Sequence, residues 1–119
     1  MTTKSERAEK IAALNDALRK DPGNPALCLT TMTRGVAALG PAFWVKVIAK
    51  LASLEPKDFP KGDDPYGERD FIVFEVADEK LYGKIDYFAK GSDYMAGAET
   101  PENPETTDRV LTVMLREEY

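Results

Sequence analysis

The residues of this chain best suited to chemistry are five carboxylates. Asp63, Asp64, Glu68 and Asp70 fall within eight consecutive positions, and Asp86 follows on the return strand of a predicted hairpin. Oxygen-only donors of this kind suit a hard cation such as Ca²⁺ or Mg²⁺. A carboxylate pair held at a defined separation in a cleft can also carry out hydrolysis. The spacing follows no EF-hand pattern, and Pro65-Tyr66-Gly67 within the cluster reads equally as a turn on a solvated acidic surface. The chain has no histidine, which removes the commonest general base and metal ligand and excludes Ser-His and Cys-His nucleophile arrangements. Cys28 is the only cysteine, and its apolar surroundings offer no group to form its thiolate. Neither a Walker loop nor GxGxxG occurs. No catalytic residue, cofactor or resident metal is therefore expected. The alternative is a carboxylate-based metal-binding protein or hydrolase using the 63–70 loop.

Tyrosine is the other conspicuous type: Tyr66, Tyr82, Tyr87, Tyr94 and Tyr119. Tyr82 and Tyr87 lie on a predicted strand, where sheet packing accounts for at least one of them. Tyr66 and Tyr94 fall in predicted loops beside acidic residues, a composition that suits a protein-binding patch because tyrosine offers large contact area at low entropy cost.

Charge is divided along the chain. Residues 1–54 carry eight Lys/Arg and four Asp/Glu, a balance of +4, whereas residues 55–119 carry eight and seventeen, a balance of −9. Such a division gives a folded domain a field with a direction. Phosphate recognition needs a basic patch, so direct nucleic-acid binding is not expected. A basic protein surface, including the groove of a nucleic-acid-binding protein, is the complementary partner. At 119 residues the chain matches one domain, 1–119. No apolar run approaches the roughly 18 residues of a membrane span. The polar start MTTKSERAEK lacks a signal-peptide core, and one cysteine cannot form an internal disulfide. A cytoplasmic protein without a membrane partner is expected.

These groups must be positioned by a small set of elements. Thr3-Lys4-Ser5-Glu6 has capping-box spacing, and Ile11, Leu14 and Leu18 follow at helical spacing, so a helix over 4–20 is predicted, with Arg19 and Lys20 at its carbonyl end. Asp21-Pro22-Gly23 stops it. Residues 26–33 read as a short strand containing Cys28, and Arg34-Gly35 as a connection. Pro41 opens a helix over 41–53 whose stripe is Phe43, Val47, Leu51 and Leu54, with Trp44 and Ile48 alongside. A loop over 55–64 leads to Phe71–Val76, apolar on both faces and therefore expected to be central or covered on both sides. Asp78-Glu79 form the turn. On the return strand, Leu81, Ile85 and Tyr87 share one face, and Tyr82, Lys84, Asp86 and Phe88 the other. Gly83 suggests a bulge or a close approach. A surface loop covers 89–103, and Asn103-Pro104 is expected to open a last helix, with a strand over 106–118 as the competing reading. The predicted fold is α+β: about three antiparallel strands and three helices in the order α-β-α-β-β-α.

DPYGERDF (64–71), GKIDYF (83–88) and RVLTVMLREEY (109–119) are similar to recurring motifs of DUF3768, a small bacterial family of unknown function. TMTRGVAAL (31–39) and IAALNDALRK (11–20) resemble it too, and the segments follow the family's order over most of the chain. The family pattern favours histidine where this chain has Arg69, a departure that speaks against a histidine-dependent metal or catalytic loop. The resemblance implies no activity. It implies a bacterial origin, most often alphaproteobacterial, sometimes on plasmids or other mobile elements. By gene-class analogy, a small acidic protein from such a setting suggests an anti-CRISPR or anti-restriction inhibitor that occupies a DNA-binding surface. The combined expectation is a non-enzymatic interaction protein that contacts a basic partner through Asp63, Asp64, Tyr66, Glu68, Arg69, Asp70, Asp86 and Tyr94. The apolar excess of the hairpin also allows a homodimer.

Overall fold

Helix α1 spans Lys4–Lys20 in the computed structural model, which describes residues 4–21, 29–59, 62, 64 and 66–119. Thr3 of the capping box and Cys28 lie outside the described residues. The inward stripe of α1 is Ile11, Ala12, Asn15, Leu18 and Arg19, while Leu14 is only half-buried. Two polar side chains thus occupy core positions of the helical repeat. Strand β1 is Leu29–Met32; of the expected strand over 26–33, residues 26–28 lie outside the described residues and Thr33 instead precedes the next helix. Helix α2, Arg34–Ala37, is a single turn where a plain connection was expected. It is held by buried Val36 and by the Glu118 carboxylate, which accepts hydrogen bonds from Gly35 N (3.1 Å) and Thr33 Oγ1 (2.6 Å). A Cβ at position 35 would come within 2.6 Å of Glu118 Oε1 and 2.7 Å of Leu115 Cδ1, so a larger residue there would have to displace the ends of both side chains. Helix α3 spans Pro41–Ser53 as expected and buries Phe43, Val47 and Leu51. A 3₁₀ turn, Pro56–Asp58, lies in the following loop.

Strands β2 (Phe71–Val76) and β3 (Glu79–Ala89) form the predicted hairpin. Its two-residue connection is Ala77-Asp78, one position earlier than expected. Both residues have positive φ (49° and 67°), as a connection matching the strand twist requires. Strand β4 is Thr107–Leu115, followed by a 3₁₀ turn at Arg116–Glu118.

The sheet differs from the expectation of three antiparallel strands. It has four, in the order β1-β4-β3-β2, with β1 parallel to β4 and the other pairs antiparallel. The segment expected to be a closing helix is β4, its second strand. Thr107, Val110, Thr112 and Val113 favour the pleated backbone, and the buried positions 107, 109, 111 and 113 follow period two. Two of them are polar, Thr107 and Arg109, so hydrophobicity alone does not display the alternation. The expectation for β2 also changes: it is an edge strand. Ile72, Phe74 and Val76 face the core, whereas Val73 is 47% exposed. The apolar character of its outer face comes from Phe71, whose ring packs against Tyr82 (5.1 Å between centroids) and Tyr119 (5.5 Å). Gly83 does mark a close approach, since a Cβ there would lie 3.2 Å from Ile72 Cδ1 and 3.4 Å from Leu111 Cδ1.

The core fills one face of the sheet. Leu18, Val36, Phe43, Val47 and Leu51 from the helices pack against Ile72, Phe74, Leu81, Ile85, Leu111 and Val113, each worth about 1.5–3 kcal/mol when fully buried. The opposite face carries Lys80, Tyr82, Lys84, Asp86 and Phe88 of β3 beside Met114, Thr112, Val110 and Asp108 of β4. The loop after β3 doubles back along it, with Ala89 N donating to Ala96 O and Ala98 N to Tyr87 O. Among the described residues no helix is long and apolar enough to cross a membrane.

Candidate functional site

The acidic loop lies against α1, with many of its polar groups turned inward. Arg69 has positive φ (53°), and this local backbone lets its amide donate to Asp64 Oδ1 at 2.8 Å. Its guanidinium reaches α1 and grips Asp16 on both oxygens, at 2.9 Å from Nε to Oδ1 and 2.6 Å from Nη2 to Oδ2. Asp16 also accepts from Arg19 Nη2 at 2.9 Å. Burial alone would raise the Asp16 carboxyl, but the hydrogen bonds from Arg69 and Arg19 outweigh it and hold the group below the usual aspartate range.

One residue before Asp16 on α1, Asn15 Nδ2 donates to Glu68 O (3.0 Å) and to Tyr87 Oη (2.8 Å), and Tyr87 donates to Glu68 Oε1 (3.0 Å). Burial pushes the Tyr87 hydroxyl well above its ordinary range, which keeps it a donor. Arg109 Nε donates to Asn15 Oδ1 at 3.0 Å, Nη2 to Pro101 O, and its guanidinium lies over the Tyr87 ring at 5.2 Å. A continuous polar network therefore ties α1, the 64–70 loop, β3 and β4 together.

The expected site residues fall into three settings. Asp63 lies outside the described residues. Asp64, Glu68 and Arg69 are engaged within the fold as above, so their polar atoms serve loop geometry. Asp70, Asp86, Tyr66 and Tyr94 have freer settings. Asp70 is half-buried, and its carbonyl accepts from Ile85 N at 2.8 Å, which lays the loop against β3. Asp86 is on the open face of β3, 3.5 Å from Lys84 Nζ. Tyr66 is 78% and Tyr94 49% exposed, and Tyr94 meets the ring of Phe88 edge-on at 5.7 Å. Because 86 and 88 share a face, Asp86 and Tyr94 belong to one surface. Among the described residues no three carboxylates are arranged to hold a metal ion.

Sequence reasoning missed Asn15, Asp16, Arg19 and Arg109, which hold this region in place. The available signal was polar side chains at the inward spacing of α1. Arg19 was assigned to the carbonyl end of its own helix, yet Nη1 donates to Leu51 O (2.8 Å) and Leu54 O (2.7 Å), at the carbonyl end of α3.

Asp70 offers a direct measurement. Burial, then the charge of Glu68 and those of Asp64 and Asp86, raise its carboxyl above the ordinary aspartate value. A group with a raised folded-state pKa stabilises the fold when protonated, and that contribution is lost as pH rises from the unfolded value through the folded one. Asp70→Asn should therefore melt above the parent at neutral pH, with the gap closing below the aspartate range. A gap that stayed constant with pH would assign the effect to something other than ionisation.

The arrangement defines an α+β domain with helices on one face of a mixed sheet and an acidic loop clamped to the first helix. The chain belongs to the DUF3768 family of proteins of unknown function, whose model matches residues 32–118. IAALNDALRK and the whole of α1 lie before the matched stretch. Compared with the curated proteins and with the solved structures, the chain finds no match.

Proposed function

We propose that this protein works by binding another protein, docking its acidic sheet-and-loop side onto a basic surface, without chemistry of its own. The observation that carries this reading is the way the fold lays out charge. The half with a balance of +4 supplies the helices on one face and the short strand β1, and the half with −9 supplies β2, β3, β4 and the loops between them. A field so directed steers a basic partner and fixes its orientation. Tyr66 and Tyr94, both exposed and both near carboxylates, are the anchors, since tyrosines rank among the side chains that dominate interface energies. The finer proposal is a partner whose basic surface ordinarily holds nucleic acid, which the acidic side would occupy in its place.

The test uses surface acids outside the buried polar network, of which Asp86 has an exposed contact with Lys84. The quadruple charge reversal of Glu75, Asp86, Glu105 and Asp108 to lysine should cut retention of a captured partner by roughly a hundredfold, and moderate salt should weaken the parent complex steeply. Excess duplex DNA should compete. Tyr94→Ala should cost about tenfold in affinity. Retention that survives both the reversal and high salt would show that charge is not what this surface uses.

A further inference from the structure

Among the described residues, nothing pairs with the outer edge of β2. Ile85 N donates to Asp70 O, so 70 and 85 form a hydrogen-bonded pair. The alternation of an antiparallel ladder gives the same status to 72/83 and 74/81. The amides and carbonyls of Phe71, Val73 and Glu75 consequently point away from β3, and among the described residues nothing bonds to them. Sheet edges are ordinarily blunted by lysine, proline, a bulge or a very short strand. At the opposite edge, β1 has four described residues. Strand β2 has six, FIVFEV, in unbroken register with β3 and with a single charge. An apolar edge of this kind recruits another strand.

We propose that the strand it recruits is β2 of a second copy, paired antiparallel about a two-fold axis at Val73, to make one continuous eight-stranded sheet. The side chains favour this occupant. With Val73 opposite Val73, the outward groups of both strands meet as hydrogen-bonded pairs, and Phe71 faces Glu75 of the second copy. Each Glu75 already sits beside its own Lys80, and each Phe71 beside its own Lys84. The open-face row therefore reads Lys80, Glu75, Phe71, Lys84 across the junction, with no like charges adjacent and the apolar pair at the axis. A groove of about 490 Å³ lined by Phe71, Val73, Glu75, Lys80, Tyr82 and Arg116 lies on the open face beside this edge. This inference rests on strand pairing and not on the basic partner proposed above, and the two share only Glu75, so the variants at Val73 test it separately.

Sedimentation of the full chain across micromolar to millimolar concentration should show a monomer–dimer equilibrium. Val73→Lys places two ammonium groups face to face at the axis and should give a monomer. Position 73 is half-exposed, so the fold and melting point should be kept, as circular dichroism would show. Val73→Glu should behave likewise. Mixing the two variants should restore a dimer at least about tenfold tighter than either forms alone, because only self-pairing at 73 sets Lys against Glu. A parent that stays monomeric throughout, a dimer indifferent to Val73→Lys, or a mixture that associates no better than its components would each overturn the proposal.

Discussion

Replacing Arg19 by methionine should lower the free energy of unfolding by about 3–5 kcal/mol, the cost of breaking a buried charged contact from one side. Arg19 is 1% exposed. Its Nη1 serves Leu51 O and Leu54 O, its Nη2 serves Asp16, and its guanidinium lies 5.3 Å from the centre of the Phe59 ring. The last carbonyls of a helix have no partner of their own, and here a cation from another helix supplies one where the dipole favours it. Methionine keeps most of the volume but takes the charged donor from both carbonyls, leaving Leu51 O with only the 3.4 Å contact from Leu54 N. At roughly 4 °C per kcal/mol for a domain of this size, the midpoint of thermal unfolding should fall by more than about 10 °C. Arg19→Lys should fall between, because an ammonium is a point donor and cannot span both carbonyls and Asp16 at once. Thermal and denaturant unfolding of the three proteins measures this, and a methionine variant within about 1 kcal/mol of the parent would mean that the end of α3 is satisfied without Arg19.

Much of the fold is legible because its elements carry their own periodicity. Helix α3 follows from Pro41 and a stripe spaced by helical turns, and the hairpin from two apolar runs around a short polar turn. Strand β4 is not, because its inward row begins Thr107, Arg109. A buried arginine is indistinguishable in sequence from an exposed one until its partners, Asn15 and the Pro101 carbonyl, are known. Strand order is equally hidden. Phe71 and Val73 give β2 an apolar outer face of the kind a central strand has, but that character reflects the ring cluster with Tyr82 and Tyr119, whose formation depends on where the chain ends in space.

The candidate site divides along the same line. The acidic loop, the exposure of Tyr66 and Tyr94, and the polarity between the two halves follow from residue type and local context. The Asp16–Arg69 pair spans 53 positions and has no local pattern, so a loop read as outward-facing carboxylates is in fact one whose Asp64 and Glu68 are taken up within the fold. Only the inward spacing of Asn15 and Arg19 on α1 foreshadowed a buried polar network, since a polar side chain at a core position must find partners.

Arg109 lies at the centre of that network, and its removal should have the second large effect. It is 2% exposed, bridges Asn15 on α1 to the Pro101 carbonyl of the loop before β4, and covers the Tyr87 ring. Arg109→Met should cost about 2–4 kcal/mol, because it leaves both acceptors buried without this charged donor. Asn15→Leu should cost a similar amount, since it withdraws a donor from Tyr87 and from the Glu68 carbonyl and an acceptor from Arg109. The double variant separates a network from a set of independent contacts. If Asn15 matters chiefly as the link between Arg109 and Tyr87, the two losses should fall short of adding by about 1–2 kcal/mol. The consequence should also be local: amide exchange in the segment around Pro101 should quicken in Arg109→Met more than the global loss of stability accounts for, because that loop loses its charged anchor to β4, keeping only Thr107 Oγ1 on the Thr100 carbonyl from that strand, while Arg7 still holds Glu102 and the Glu99 carbonyl. Strict additivity, with exchange rising uniformly along the chain, would instead make Arg109 a single buried contact with no part in holding the loop to the sheet.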